Sequence, residues 1–420
     1  MTDVPTRAEA EQLDADDPLA TFRERFVVAD PELLYLDGNS LGRLPAATED
    51  AVSRVVREEW GNALIRSWHH WIDLPTEVGD LIGSELLGAR PGETVVSDST
   101  TVNLYKLAVA AVDARPDRRV VVTDDDNFPT DRYVLQGLCQ ERGLELRTIH
   151  TDIDAGVDPA TVADAVDVDT ALVSLSHVAY RSGAVAPLGE ITALAHDAGA
   201  LVLWDLSHSV GSVPVGLADH DVDLAVGCTY KYVNGGPGSP AFLYVRRDLH
   251  DRLRQPIWGW FGQRGQFEMG EAYDPQPDIR RFLVGTPPVL QLYTIREGAA
   301  LLAEAGIDRL RAKGVALTDL LIRLADGWLT PLGFRLASPR DPGRRGSHVS
   351  LHHPDAYRVC RALIEHARVV PDFRTPDRVR LGPAPITTRF VDVYDAMDRL
   401  RDLVASGVHE RYDDTRLAVT

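Results

Sequence analysis

The chain has 420 residues and a formal net charge of −19 at pH 7, because 63 Asp and Glu residues outnumber 44 Lys and Arg residues. This excess of negative charge disfavours non-specific binding to nucleic acid or to an anionic membrane. The composition is that of a globular protein, and no stretch reaches the roughly 18 consecutive apolar residues of a membrane span. Three cysteines without a CxxC pair support neither a disulfide framework nor a zinc knuckle, so we expect a reduced, cytoplasmic protein.

In chain order, residues 1–45 are predicted to form an N-terminal arm that belongs with a small domain, and residues 46–290 a large α/β domain. Within the large domain, short apolar runs alternate with segments of helical period, which predicts βαβ units and a mostly parallel sheet of about seven strands. The predicted strands are 93–96, 119–123, 144–150, 170–176, 200–205, 224–229 and 241–245. The last run follows a glycine-rich loop too short for a helical crossover, so it is expected to pair antiparallel.

Beyond an irregular stretch rich in proline and glycine, residues 291–420 are predicted to form a smaller α+β domain joined by a long helix at about 290–325. Short strands are expected near 334–336, 348–351 and 379–381, and helices near 356–368 and 390–404. In an open α/β sheet the ligand binds beyond the carboxyl ends of the strands. The residues that follow each strand are therefore the candidates for chemistry.

Only three of the 44 basic residues are lysines, namely Lys106, Lys231 and Lys313. Unlike arginine, a lysine can lose its proton near neutral pH and act as a nucleophile or base. Lys231 follows a predicted strand among small and apolar residues, where desolvation favours the neutral amine. Lys106 and Lys313 fall in helical patterns and are expected to be solvated. A coding bias that left three lysines at random is the alternative explanation.

Two further strand ends carry groups that suit a phosphorylated cofactor. Asp205 closes an apolar strand, where a buried carboxylate needs a cationic or hydrogen-bonding partner. Residues 97–103 place hydroxyl groups at a predicted helix start, which suits a phosphate, although taken alone a plain helix N-cap explains them better. A lysine for a Schiff base, a carboxylate for a pyridinium nitrogen and a helix start for a phosphate are what pyridoxal 5'-phosphate needs.

Several longer stretches of the sequence are specific to one enzyme family. They are Tyr-Leu-Asp-Gly-Asn-Ser-Leu-Gly at 35–42, Phe-Pro-Thr-Asp at 128–131, Trp-Asp-Leu-Ser-His-Ser-Val-Gly at 204–211, Tyr-Lys-Tyr at 230–232, Gly-Trp-Phe-Gly at 259–262 and Thr-Pro-Pro at 286–288. With them the chain resembles kynureninase, a fold-type-I pyridoxal-phosphate enzyme, over nearly its whole length. The resemblance implies hydrolysis of the Cβ–Cγ bond of L-kynurenine to anthranilate and L-alanine, as in tryptophan catabolism, by a homodimer with shared active sites.

The resemblance also implies which residues act. Lys231 would form the Schiff base, Asp205 would pair with the pyridine nitrogen, and Tyr230 would donate a proton to the product. The remaining residues expected at the cofactor are Thr100, Thr101, Phe128, Asp131, Ser176, His208, Trp260 and Thr286, of which Trp260 and Thr286 come from the neighbouring subunit.

Two residues are implied for the substrate. Arg380 matches the arginine for the substrate carboxylate, which a guanidinium can bind with two hydrogen bonds. Trp68, together with Thr286, matches the bacterial type, which implies a preference for kynurenine over 3-hydroxykynurenine. An indole offers one N–H donor and no acceptor for the extra hydroxyl. No group of His, Cys or carboxylate residues shows the spacing of metal ligands.

Two alternatives remain open from the sequence. The first is another fold-type-I enzyme, such as a cysteine desulfurase or a decarboxylase. A desulfurase needs a mobile nucleophilic cysteine, whereas Cys139 and Cys360 fall in helical patterns and Cys228 on a strand. The second alternative is a cofactor-binding scaffold that has lost catalysis.

Overall fold

The computed structural model describes residues 4–413 and 415. A seven-stranded sheet with the order β2-β8-β7-β6-β5-β3-β4 forms the centre of its larger part. Strand β8 is antiparallel to both of its neighbours, whereas the other pairs are parallel. This confirms the predicted fold class and the antiparallel last strand. After a short first strand β1 (Leu34–Tyr35), the strands of this sheet are β2 (Thr94–Val96), β3 (Val120–Asp124), β4 (Glu145–Ile149), β5 (Thr170–Ser176), β6 (Leu201–Asp205), β7 (Leu224–Gly227) and β8 (Phe242–Val245).

Helices cover the sheet, so that strands such as β3, β6 and β7 are buried along their whole length. Burial on both faces explains why these strands read as continuous apolar runs rather than as alternating patterns. The α-helices are α1 (Arg7–Ala15), α2 (Ala46–Arg54), α3 (Trp68–Trp71), α4 (Leu74–Leu86), α5 (Thr100–Asp113), α6 (Pro129–Arg142), α7 (Pro159–Ala165), α8 (Leu188–Asp197), α9 (Val289–Ala305), α10 (Ile307–Leu324), α11 (Ala356–Ala362) and α12 (Phe390–Ala405).

A four-stranded antiparallel sheet with the order β12-β13-β10-β9 lies in the C-terminal part. The remaining strands are β9 (Arg335–Leu336), β10 (Val349–His352), β11 (Val369–Val370), β12 (Asp372–Arg374) and β13 (Arg378–Leu381). Strand β1 pairs in parallel with β11, so the N-terminal segment is part of this C-terminal core. Its apolar centre includes Leu34 and Leu36 beside residues of α10, α11 and α12.

Two sequence predictions about helical segments are wrong. The long helix at 290–325 is interrupted at Gly306, whose φ of +82° ends α9 and allows the chain to begin α10 in a new direction. Lys106 and Lys313 are buried rather than solvated, because each has an anionic partner: Lys106 Nζ lies 2.7 Å from Asp98 Oδ2, and Lys313 Nζ lies 2.6 Å from Asp17 Oδ2.

In the described residues, no helix has both the length and the apolar character needed to cross a membrane. The same part of the chain contains no group of three or more His, Cys, Asp or Glu residues that could hold a metal ion.

Candidate active site

A cavity of about 220 Å³ opens at the carboxyl ends of the central strands. It brings together nine of the thirteen residues singled out from the sequence, which are Thr100, Thr101, Phe128, Asp131, Ser176, Asp205, His208, Tyr230 and Lys231. Because parallel strands end at the same edge of a sheet, loops far apart in the chain meet there. Sequence reasoning did not single out other lining residues, among them Tyr180, Ser207 and Ser239.

Lys231 lies just beyond β7, with its amine in the centre of this group. Its Nζ is 3.2 Å from His208 Nε2 and 5.9 Å from the centroid of the Phe128 ring. Burial, followed by the charge of Lys231, holds the pKa of His208 well below its usual range. A neutral imidazole nitrogen therefore accepts a hydrogen bond from the amine, so His208 orients the one lysine of the cavity.

Two carboxyl groups face each other across the floor of the cavity. Asp205 ends β6 and accepts a hydrogen bond from Ser207 N at 2.7 Å. Asp131 is buried, and its Oδ2 has no hydrogen-bond partner among the described residues. Burial, and next the charge of Asp205, raise the pKa of Asp131 well above its usual value. A hydrogen bond between the two carboxyl groups contributes to this shift, and a protonated ring nitrogen beside the pair would balance their charge.

The start of α5 supplies an anion-binding end of the same cavity. Ser99 caps the helix through its side chain, which accepts from Val102 N at 3.4 Å, while Thr100 and Thr101 line the cavity. The first N–H groups of a helix have no partner within it and attract anions. The N-cap and the phosphate interpretations are thus compatible, because Ser99 caps the helix while Thr100 and Thr101 face the cavity.

Asn127 is a residue that the sequence analysis missed. Its side-chain oxygen accepts from Ser176 Oγ at 2.7 Å and from Phe128 N at 2.8 Å, and its amide donates to Thr123 Oγ1 at 3.2 Å. Asn127 therefore fixes the loop that presents Phe128 to the cavity. Its position in the short loop between a predicted buried strand and the next helix was the available signal.

Four of the expected residues do not line this cavity. Trp68 and Trp260 lie near each other, because the Trp68 ring packs 5.9 Å and the Trp260 ring 4.8 Å from the ring of Phe261. Trp68 is partly buried, Trp260 is 39% exposed and Thr286 is exposed. These three residues are absent from the lining of the cavity of their own chain.

A buried carboxylate supports the segment that carries Trp68. The Ser67 hydroxyl donates to the Glu59 carbonyl at 2.9 Å, which ties this segment to the turn before it. Although burial opposes ionisation, hydrogen bonds to the carboxylate lower the pKa of Glu59 to about 2. The side-chain donors to this carboxylate are Arg54 Nη1 at 2.6 Å, Trp71 Nε1 at 2.7 Å, Tyr293 OH at 2.8 Å and His70 Nε2 at 3.0 Å.

Arg380, the fourth residue, lies in β13 behind the cavity wall. Its Nη1 donates to the carbonyl oxygen of Tyr180 at 2.6 Å, and Tyr180 itself lines the cavity. Its Nη2 donates to Ser40 Oγ at 2.8 Å, and its Nε to Asp372 Oδ1 at 2.8 Å. The guanidinium thus joins the N-terminal segment, the large domain and the small sheet.

Comparison with known proteins gives the family. The family model for the kynureninase C-terminal domain matches residues 310–400. The chain is 43% identical to the kynureninase of Pseudomonas fluorescens over 408 residues, covering 95% of each chain. It is also 43% identical to that of Burkholderia pseudomallei (strain 1106a) over 424 residues, covering 99% of this chain and 100% of the relative.

Solved structures with the same fold include a mutant of C-DES with glycine covalently linked to the PLP cofactor, at a TM-score of 0.77 and 19% identity, covering 95% of this chain and 100% of that one. The apo cysteine desulfurase of Thermococcus onnurineus NA1 matches at a TM-score of 0.75 and 19% identity, covering 97% of this chain and 99% of that one. At such identity these structures show the fold alone, whereas the full-length relatives show that the chain belongs to the kynureninase family.

Proposed function

We propose that the protein is a pyridoxal-phosphate-dependent hydrolase that cleaves the Cβ–Cγ bond of L-kynurenine to anthranilate and L-alanine. The observation that carries this proposal is a single cavity that combines the Lys231 amine, the Asp205 carboxylate and the start of α5. Membership of the kynureninase family supplies the substrate.

The residues of the cavity fit this cofactor. Lys231 would hold its aldehyde carbon, Asp205 and Asp131 its ring nitrogen, and Thr100 and Thr101 its phosphate. When bound, the cofactor supplies an electron sink for the bond changes at the substrate amino acid. The close pair of buried carboxyl groups, Asp131 and Asp205, supports this placement, since a cationic ring nitrogen beside them would balance their charge.

Proton transfer falls to two residues that are neighbours in the chain. The Lys231 amine, once free of the cofactor, would take the α-proton of the substrate and deliver it to the cofactor. His208, at 3.2 Å, keeps that amine aimed into the cavity. Burial raises the pKa of Tyr230, so its hydroxyl keeps its proton at neutral pH and can donate it to the alanine fragment.

We also propose a homodimer in which each subunit completes the active site of the other. The support is that Trp68, Trp260 and Thr286 do not line the cavity of their own chain, and that Trp260 and Thr286 are exposed. In such a dimer the partner's copy of this group would cover the phosphate and the substrate ring. A cytoplasmic setting is proposed as well, because all three cysteines are free thiols.

The alternative of a cysteine desulfurase finds no support in the cysteines. Cys139, Cys228 and Cys360 are all buried, and burial raises the pKa of Cys139 to about 11. A persulfide-forming cysteine needs thiolate character and access to the substrate. All three cysteines are inaccessible, and burial also raises the pKa of Cys360.

The test uses the purified enzyme loaded with pyridoxal phosphate. Addition of L-kynurenine should release anthranilate, followed by its fluorescence, and one equivalent of L-alanine. Reduction with borohydride before proteolysis and mass spectrometry should place the cofactor on Lys231, and Lys231→Ala should abolish turnover. Cofactor trapped on Lys106 or Lys313, or release of alanine from cysteine but not from kynurenine, would contradict the proposal. Binding of the cofactor without turnover of kynurenine would support the inactive scaffold.

A further inference from the structure

Two arginines and two aspartates form a cluster where the small sheet meets the N-terminal segment, and all of them except the partly exposed Arg374 are largely buried. Asp372 of β12 and Arg380 of β13 are directly opposite each other in the antiparallel register. Their side chains are 4% and 1% exposed. Arg374, at the end of β12, and Asp37, from the N-terminal segment, complete the cluster.

Asp372 is the centre of this cluster. Its Oδ1 accepts from Arg380 Nε at 2.8 Å and its Oδ2 accepts from Arg380 Nη2, which is the two-bond arrangement of a guanidinium and a carboxylate. Its Oδ2 also lies 2.7 Å from Arg374 Nη2 and accepts from Ser40 Oγ at 3.0 Å. One carboxylate therefore sets the orientation of both guanidinium groups.

Both guanidinium groups retain donors for a further acceptor. Nη1 of Arg380 carries two N–H groups and has one described acceptor, the Tyr180 carbonyl. Nε of Arg374 is buried and has no hydrogen-bond partner among the described residues. Since Tyr180 lines the cofactor cavity, the free donor of Arg380 lies at the wall of that cavity, and Arg374 is near enough for its charge to act on Tyr180. A buried donor without an acceptor lowers the stability of the fold. Such donors point to a ligand that provides the missing acceptors.

The charges of the cluster favour an anionic ligand. Burial, and next the charge of Asp372, raise the pKa of Asp37 to about 7, so that this carboxyl holds a proton below neutral pH. Even with Asp37 partly ionised at neutral pH, the charge of the two arginines exceeds that of the two carboxyl groups. The other titratable groups that face Asp37 are neutral, since burial raises the pKa values of Tyr35, Tyr232 and Cys360. A carboxylate entering from the cavity would balance the remaining positive charge.

We propose that Asp372 is the positioning residue of the substrate-carboxylate site: it aligns Arg380 and holds Arg374 beside it, so that two guanidinium groups serve one carboxylate. This inference rests on the proposed function, and specifically on Arg380 as the carboxylate ligand. It adds Arg374 as a second ligand and assigns Asp372 a role through both arginines.

The experiment measures how strongly the loaded enzyme prefers a carboxylate to an amide. Steady-state constants are determined for L-kynurenine and for its α-carboxamide, which differ only at the group in question. Binding of L-alanine and of L-alaninamide is titrated separately through the visible absorbance of the cofactor, which requires no turnover. The variants are Asp372→Asn, Arg374→Ala and Arg380→Ala.

The matched control is Asp326→Asn in the same domain. Asp326 also forms a two-bond pair, with Arg340 at 2.7 Å for each contact, but this pair is exposed at the surface. Asp326→Asn should leave every constant unchanged.

For Asp372→Asn we expect KM for kynurenine to rise roughly tenfold or more, with kcat within about threefold, and the preference for acid over amide to fall by a similar factor. A purely structural role would weaken acid and amide equally, and that result would overturn the inference. Arg374→Ala should reduce the same preference, and an unchanged preference would remove Arg374 from the site. If Asp372→Asn does not fold, Ser40→Ala provides the test. It keeps the charges of Asp372 and Arg380 but removes one hydrogen bond to each, so it should reduce the preference for acid over amide by a smaller factor. An unchanged preference in Ser40→Ala would also count against the inference.

Failure of the proposed function would look different. A wild-type enzyme that binds L-alanine far better than L-alaninamide, yet releases no anthranilate from kynurenine, would retain the carboxylate site and refute the reaction. An Arg380→Ala variant with the full wild-type preference would show that the carboxylate binds elsewhere, and would overturn the inference with it.

Discussion

Replacing Glu59 by Gln should destabilise the protein by removing the charge that four side chains share. The carboxylate accepts hydrogen bonds from a guanidinium, an indole, a phenol and an imidazole, at 2.6 to 3.0 Å. A glutamine has one oxygen that can accept, and its NH₂ group would face donors. At least one buried donor would therefore lose its acceptor in Glu59→Gln.

The pKa of Glu59 gives the magnitude. Its pKa falls from the ordinary value of 4.5 to about 2 in the folded protein. At about 1.4 kcal/mol for each unit, the ionised carboxylate contributes about 3 kcal/mol to the free energy of unfolding. Because the folded pKa is the lower one, this contribution is fully present above pH 4.5 and is lost as the pH falls towards 2. The effect of Glu59→Gln should thus be constant from pH 5 to 7 and shrink below pH 4.5.

Urea unfolding at a fixed protein concentration, followed by circular dichroism and tryptophan fluorescence between pH 4 and 7, measures this difference. The neighbouring Glu58 is exposed, so Glu58→Gln is the matched control and should change the free energy of unfolding by less than about 0.5 kcal/mol. If Glu59→Gln were as stable as Glu58→Gln at pH 6, the four hydrogen bonds would not provide the stabilisation inferred from them. The Trp68 segment would then need another support.

Three further predictions concern the dimer, the substrate and a buried lysine. Lys231→Ala and Trp260→Ala subunits should each be inactive as pure dimers. A randomly mixed population should recover about a quarter of wild-type activity, since half of its dimers are hybrids with one of their two sites intact. No recovery of activity would refute active sites that are shared between subunits. The enzyme should use kynurenine in preference to 3-hydroxykynurenine by up to roughly a hundredfold, and Trp68→His with Thr286→Asn should move this ratio of kcat/KM values towards the hydroxylated substrate; an unmoved ratio would refute that explanation. Lys106→Met should lower the urea midpoint, because a buried ion pair is broken, while the visible absorbance of the bound cofactor persists; loss of this absorbance at an unchanged midpoint would contradict a structural role.

The central sheet and most of the cavity were predictable because their signals are local. Buried strands such as β5 and β6 are mostly apolar runs, and the residues that end them, Ser176 and Asp205, meet at one edge of the sheet because neighbouring parallel strands end there. Sequence position was therefore enough to bring Lys231 and Asp205 into one cavity.

The features that could not be predicted depend on partners far away in the chain. Helical periodicity placed Lys106 on a helix but could not show that Asp98 and the Phe282 carbonyl receive its ammonium group in the core. Asp372 lies in a three-residue strand, and its role becomes visible only when β12 and β13 pair. Glu59 is likewise one acidic residue among many until Tyr293, 234 residues later, donates to it.

The pairing of β1 with β11 has a consequence for the order in which the protein forms during synthesis. Leu34 is made 335 residues before its strand partner Val369. The central sheet, by contrast, contains all of its strands once residue 245 has emerged. Since domains generally fold as units during synthesis, the part that contains the central sheet can form while β1 is still unpaired. Strand β1 is therefore among the last strands to pair, and the Arg380 cluster cannot assemble before β13 has been made.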